Sequence, residues 1–170
     1  NERGIVHTGN FEIANELRAI APKRFKFYSS TEEKQKIIEL MKSGRPGNEV
    51  IVGPSLIEGI DLNDDSARFA IIAKVPYPYI DEFTSRKMKY TPGWYEWKTM
   101  MSFLQSIGRP IRHKEDWAVT YLMDECFNLL FSQVSLPEHV KHRIQVYNGN
   151  AIISDSNLTQ LNDEEAALFS

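Results

Sequence analysis

At 170 residues, 42% hydrophobic and 25% charged, the chain has the size and make-up of one ordinary globular domain with a real core. Its formal net charge of -3 excludes a global electrostatic pull toward nucleic acid, so any such contact has to come from local clusters. The single cysteine, Cys126, excludes an internal disulfide framework and a multi-cysteine metal or iron–sulfur site within these residues.

No apolar run approaches the ~20 residues of a membrane span, and no basic-then-apolar signal peptide opens the chain. It opens on Asn1 rather than Met and runs almost at once into a strand-like stretch, the expected look of a piece of a longer polypeptide. Gly4–Thr8 (GIVHT) is that short apolar run, and Asn10 is placed to cap a helix over Phe11–Ala21. Ile13, Leu17 and Ile20 recur there at helical spacing and are expected to face the core, and Pro22 ends the helix. Phe25–Tyr28 reads as a second strand. Ser30 or Thr31 caps the next helix, whose apolar stripe is Ile37, Ile38 and Met41. Gly44, Pro46 and Gly47 break the chain before a third strand at Glu49–Val52.

Beyond a loop, Ala67–Val75 (ARFAIIAKV) reads as a strongly apolar strand, stopped by Pro76-Tyr77-Pro78-Tyr79. Trp94–Ile107 reads as a long helix and Ala118–Met123 (AVTYLM) as another buried strand. Strands alternating with helices predict an α/β domain with a mostly parallel central sheet flanked by helices, and such sheets hold ligands at strand ends. From about Ser154 the chain turns polar and acidic (Asp155, Asp163, Glu164, Glu165) and reads as a tail or peripheral helix. The expected division is therefore a domain over 1–153 and a tail over 154–170.

Two stretches carry chemistry. In Gln105–Arg112 (QSIGRPIR), residues 105, 108, 109 and 112 fall along one helical face. That face offers an amide, the bare backbone of Gly108 and two guanidiniums, Arg109 and Arg112, whose forks match phosphate oxygens and stay charged at any working pH. Two arginines alone suit a solvated basic helix end. The Gln–Gly–Arg–Arg spacing favours the anion site. Pro110 ends or kinks the helix, at a cost of ~3 kcal/mol inside one, and so aims Arg112 differently from Arg109. The second stretch, Ser55–Asp61 (SLIEGID), follows the third strand. Ser55 and the N–H groups around Gly59 suit phosphate oxygens, while Asp61 can orient an arginine or accept from a sugar hydroxyl. By itself it reads first as an acidic loop with a turn glycine.

Together these stretches resemble motifs V and VI of superfamily-two helicases, in the XPD/DinG-like branch. The similarity runs over most of residues 4–148: Ser55–Leu62, then Ile71–Pro78 (IIAKVPYP), then Gln105–Arg112, Asp116 and Ala118–Asp124, with Leu136-Pro137 and the helix after it as the closing segment. Ala118 stands where many members have glycine, and Glu125-Cys126-Phe127 lacks an arginine common there. The resemblance implies a RecA-like second motor domain of an ATP- and magnesium-dependent helicase that moves along single-stranded DNA, usually 5′ to 3′. It implies arginine-finger roles for Arg109 and Arg112, which in related NTPases are worth roughly 10³–10⁵ in rate. Gln105 would help to position them or the attacking water, and Asp61 would couple nucleotide to closure. Gly59 and Gly108 would lie against the nucleotide, and Glu58 would be structural or coupling. Thr8, Gly9, Asn10 and Ser55 are the implied DNA contacts, although Thr8-Gly9-Asn10 equally suits a plain strand-to-helix turn.

These residues contain no G-x-x-x-x-G-K-[ST] sequence and no Asp-Glu-Ala-His-like box. The implied partner is accordingly the N-terminal RecA-like domain of the same polypeptide, which would also hold the iron–sulfur cluster of members that have one. The setting implied is cytoplasm or nucleoid in a prokaryote or phage, and nucleus in a eukaryote. Trp94, Tyr95 and Trp97 are expected in a core or domain interface rather than stacked on bases. His7, His113, His139 and His142 make no metal set. Arg86, Lys87 and Lys89 read first as a solvated face and second as a DNA contact. The rival reading of the whole is a non-catalytic RecA- or Rossmann-like docking module, separable by whether residues 55–61 and 105–112 converge.

Overall fold

The computed structural model describes residues 2–54, 56, 62, 64–107, 117–142, 144–147 and 150–154. Strands β1 (Gly4–His7), β2 (Phe25–Phe27), β3 (Val50–Gly53), β4 (Phe69–Ile72) and β5 (Val119–Leu122) alternate with helices α1 (Phe11–Ile20), α2 (Thr31–Lys42), α3 (Glu82–Tyr90) and α4 (Trp94–Ile107). After β5 come α5 (Cys126–Gln133), α6 (Glu138–Lys141), β6 (Ile144–Tyr147) and β7 (Asn150–Ser154). The sheet order is β2-β3-β1-β4-β5-β7-β6. Its first five strands are parallel, and β7 and β6 add an antiparallel hairpin beside β5.

Register sets where anything functional can sit. Gly4 lies level with Val50 and with Phe69, and Phe69 lies level with Val119. Strands β3, β1, β4 and β5 thus start together and stop together. One edge of the sheet collects the residues that precede them, including Arg3, Glu49, Arg68 and Trp117. The opposite edge collects those that follow, including Thr8, Pro54, Lys74 and Asp124.

Period-two alternation sends the two halves of each strand to different layers. Ile5, Ile51 and Ala70 pack under Ile38 and Met41 of α2, and Ile72 and Leu122 pack under Met100, Phe103 and Ile107 of α4 with Phe127 and Leu130 of α5. Phe103, Phe127 and Phe131 form a tilted triangle with ring centroids 5.2–5.7 Å apart. On the reverse face, Val6, Val50 and Val52 pack with Phe25, Phe27 and Leu17 of α1. The buried Arg3 binds β1, β3 and the end of α2 together. It donates from Nε to Glu49 (3.0 Å), from Nη1 to the Met41 carbonyl (2.9 Å) and from Nη2 to the Arg45 carbonyl (2.8 Å), while Arg45 pairs with the other Glu49 oxygen. A buried charge so completely partnered is tolerable; an unpaired one is not.

Sequence expectation and structure agree on α4, on the caps and on the parallel sheet. Asn10 accepts from the Ile13 amide (2.9 Å) and Ser30 from the Glu33 amide (3.2 Å). Three differences have physical causes. Ile20 lies on the expected stripe of α1 but is 81% exposed, because burial on this helix is confined to Ile13, Ala14 and Leu17. Helix α3 was not foreseen, since only Thr84 in it is buried and no apolar stripe betrays it. The β6–β7 hairpin was also not foreseen, and β7 reaches Ser154, the residue at which the tail was expected to begin. Residues 155–170 lie outside the described residues.

Candidate functional site

At the carboxyl edge, the turn from β1 to α1 is built by its own side chains. Thr8 is fully buried, takes the Gly53 carbonyl through its amide (3.2 Å) and donates its hydroxyl to the Asn10 carbonyl (2.8 Å). Gly9 adopts φ +78°, and a Cβ there would lie 3.0 Å from Cβ of Lys74, which follows β4. No other residue type meets both demands without strain. The turn-and-cap reading of Thr8-Gly9-Asn10 is thereby fulfilled, and what faces solvent is Gly9, Asn10 and the Lys74 side chain.

Beside them Asp124 ties the ends of β4 and β5 together. Its Oδ2 accepts from the Val75 amide (3.0 Å) and its Oδ1 from the Cys126 amide (3.1 Å), while the Met123 amide donates to the Ile72 carbonyl (3.1 Å). Partial burial pushes the Asp124 carboxyl upward, but the Val75 and Cys126 amides, the Cys126 thiol and nearby Lys74 outweigh it and hold it below the ordinary aspartate value. The Cys126 thiol is in turn held above its ordinary value, first by its hydrogen bond to that carboxylate and then by its charge.

At the amino edge, the described residues flanking the two motif stretches meet. Pro54 leaves β3 at the carboxyl edge, yet Leu56 and Leu62 are both fully buried in the layer beneath α2, and a short 3-10 turn at Asp64–Ser66 brings the chain to the start of β4. The second stretch leaves α4 at the buried Ile107 and returns at Trp117, just before β5. Arg68 joins the two returns. It forms an ion pair with Asp65 (2.9 Å), donates to the Trp117 carbonyl (3.1 Å) and lies 4.9 Å from the Trp117 ring centroid. Its own carbonyl accepts from the Val119 amide (3.1 Å). Around this junction lies a cleft of about 750 Å³ lined by Arg3, Lys42, Arg45, Asp65, Arg68 and Trp117 among others.

Gln105 sits exposed in the last turn of α4, opposite the buried Phe103, Ser106 and Ile107. Ser106 spends its hydroxyl on the Phe103 carbonyl (2.6 Å). Ser55, Glu58, Gly59, Asp61, Gly108, Arg109 and Arg112 lie outside the described residues. Lys74 and Arg68 are the site residues that sequence reasoning passed over. Their signal was available: one cation stands at each end of the apolar run 69–73, where strand ends meet the sheet edges. Tyr95 stacks on Tyr77 at 5.6 Å and donates to the Pro78 carbonyl (3.1 Å), and Trp94 meets Phe83 edge-on at 6.1 Å, whereas Trp97 is 52% exposed. Among the described residues no three His, Cys, Asp or Glu side chains gather as a metal site, and no helix is long and apolar enough to cross a membrane.

A parallel five-stranded core with helices on both faces, closed at one edge by the returns of two motif stretches, is RecA-like in form. Residues 7–143 match the helicase C-terminal domain family; the chain belongs to that family, in its XPD/DinG-like branch. Relatives include the ATP-dependent DNA helicase CHL1 of Candida albicans, 34% identical over 56% of this chain, and that of Debaryomyces hansenii, 32% identical over 69%. The human regulator of telomere elongation helicase 1 is 28% identical over 54% of the chain. The matches span 14%, 16% and 9% of those three proteins' own lengths.

Proposed function

We propose that this chain is the second motor domain of an ATP-dependent DNA helicase, acting with an N-terminal RecA-like domain of the same polypeptide. The observation that carries the reading is the Arg68 junction. It brings the chain a few residues after the SLIEGID stretch and the chain a few residues after the QSIGRPIR stretch to one point of the amino edge, which supports a shared nucleotide site there. In this reading the first domain holds ATP and magnesium. Closure presents Arg109 and Arg112 to the γ-phosphate, where fixed guanidiniums stabilise charge that develops during transfer. Gln105, at the start of that stretch, positions the arginines or the attacking water, and Asp61 links the nucleotide to closure. Gly59 and Gly108 allow backbone to approach it, and Glu58 belongs to the coupling loop.

The carboxyl edge is then the DNA track. Gly9 and Asn10, with Thr8 holding their turn and Ser55 beyond β3, offer small donors to a phosphate backbone, which suits a motor indifferent to sequence. Lys74 adds a charge there. The names of the CHL1-type relatives favour DNA and ATP as the substrates, and the setting follows as intracellular.

The test is ATPase turnover in the full-length protein. Arg109→Ala and Arg112→Ala are each expected to lower kcat by roughly 10³ or more with the thermal melt unchanged. Wild-type turnover in both variants would leave the docking-module reading in possession.

A further inference from the structure

Helix α3 projects a largely exposed face, of which the fold uses only Phe83, edge-on to Trp94. Of its nine residues only Thr84 is buried, and Phe83 is 61% exposed, Tyr90 71% and the preceding Tyr79 87%. Phe83, Arg86, Lys87 and Tyr90 are spaced by three, one and three residues, which puts all four on one helical face. They line one cleft of about 690 Å³ together with Asp81, Glu82 and Thr91. Two aromatic rings thus stand about 10 Å apart along the axis with two cations between them. Lys87 Nζ lies 5.7 Å from the Phe83 ring centroid and Lys89 Nζ lies 5.3 Å from that of Tyr90.

The two acids do not cancel this pattern. Asp81 is committed to the helix cap, its Oδ1 accepting from the Thr84 amide (2.7 Å), and Glu82, four residues before Arg86, offsets at most one of the cations Arg86, Lys87 and Lys89. A solvated face would not expose two aromatic rings beside its cations. A purely apolar docking face would not place Arg86 and Lys87 between them. Rings for bases and cations for phosphates, with no ordered donor set to read a base edge, is the make-up of a single-strand platform. The chain also reaches α3 directly from the carboxyl edge, past Lys74 and the Pro76–Ile80 stretch.

We propose that the Phe83–Arg86–Lys87–Tyr90 face of α3 binds single-stranded DNA by stacking, as an extension of the track at the carboxyl edge. The proposal rests on the helicase reading above but stands on separate residues. In the full-length protein, binding of a fluorescent oligo(dT) without nucleotide should weaken roughly tenfold for Phe83→Ala or Tyr90→Ala. Arg86→Ala combined with Lys87→Ala should lower the slope of log affinity against log salt by about 1.4. DNA-independent ATPase should stay at the wild-type level in all of these, since none touches the nucleotide edge.

Ultraviolet crosslinking to an oligonucleotide carrying iodouracil should yield peptides containing Phe83 or Tyr90. Unchanged affinity in the ring variants, with no crosslink to α3, overturns the platform while leaving the motor reading standing. A wild-type protein that neither binds oligo(dT) nor hydrolyses ATP overturns the motor reading itself, and the platform with it. Ring variants that keep full DNA affinity but release a protein segment from α3 assign the face to protein docking and overturn the proposal.

Discussion

Asp124 shows how one side chain can fix a sheet edge chemically. Its two carboxylate oxygens accept from the amides of Val75 and Cys126, so removing it strands two backbone donors at a partly buried place. Asp124→Ala should therefore cost about 2 kcal/mol in denaturant unfolding. Because this carboxyl is held below its ordinary value in the fold, it stabilises the protein above about pH 4. That contribution is lost as pH falls through the lowered value. Asp124→Asn should flatten the acid side of the stability profile, and an unaltered acid limb would remove Asp124 from that role. The same carboxylate should slow Cys126: although exposed, its thiol is held above the ordinary value by Asp124. Alkylation by iodoacetamide at pH 8 is expected to speed up in Asp124→Asn, since the thiolate is the reacting form. At Gly9, alanine meets both a φ of +78° and the Lys74 Cβ at 3.0 Å. Gly9→Ala should cost at least about 1 kcal/mol, read as a lowered melting temperature.

Among the elements, a buried stripe made most of them legible, although α5, which buries Phe127 and Leu130, was not read as a helix. Trp94–Ile107 was readable as α4 because Met100, Phe103 and Ile107 repeat at helical spacing over one core. Helix α1 was readable from Asn10 and its apolar positions, yet the same spacing overstated Ile20, since periodicity gives direction and says nothing of whether a neighbour is there. Helix α3 has a good cap in Asp81, but its rings face outward and left no pattern to follow. The hairpin escaped because its strands follow the parallel run and pair antiparallel at its side, a choice made by neighbours rather than by local pattern. For the site, motif spacing located the chemistry along the chain, whereas Arg68 and Lys74 mattered only once register had brought strand ends level. Leu56 and Leu62 test the anchoring of the SLIEGID stretch. Both are fully buried under α2. Leu62→Ala should destabilise the domain by about 2–5 kcal/mol, and in the full-length protein it should lower kcat at temperatures where the fold still holds.

For the molecule as a whole, the proposed chemistry is divided between two bodies, and only one of them is in these residues. The two sheet edges have separate tasks in this reading, with nucleotide at the edge of Arg68 and Trp117 and DNA at that of Gly9 and Lys74. Coupling between them then has to pass through β3, β1, β4 and β5, whose in-step register makes them a single rigid body. The 170 residues contain no phosphate-binding loop sequence. Purified as they stand, they should hold their fold and turn over no ATP above the buffer rate, with or without oligo(dT). Phosphate release followed by a coupled enzyme assay decides this. Steady turnover that survives repeated purification would mean that the arginines are not half of a divided site, and the assignment of this chain as a second motor domain would fall with it.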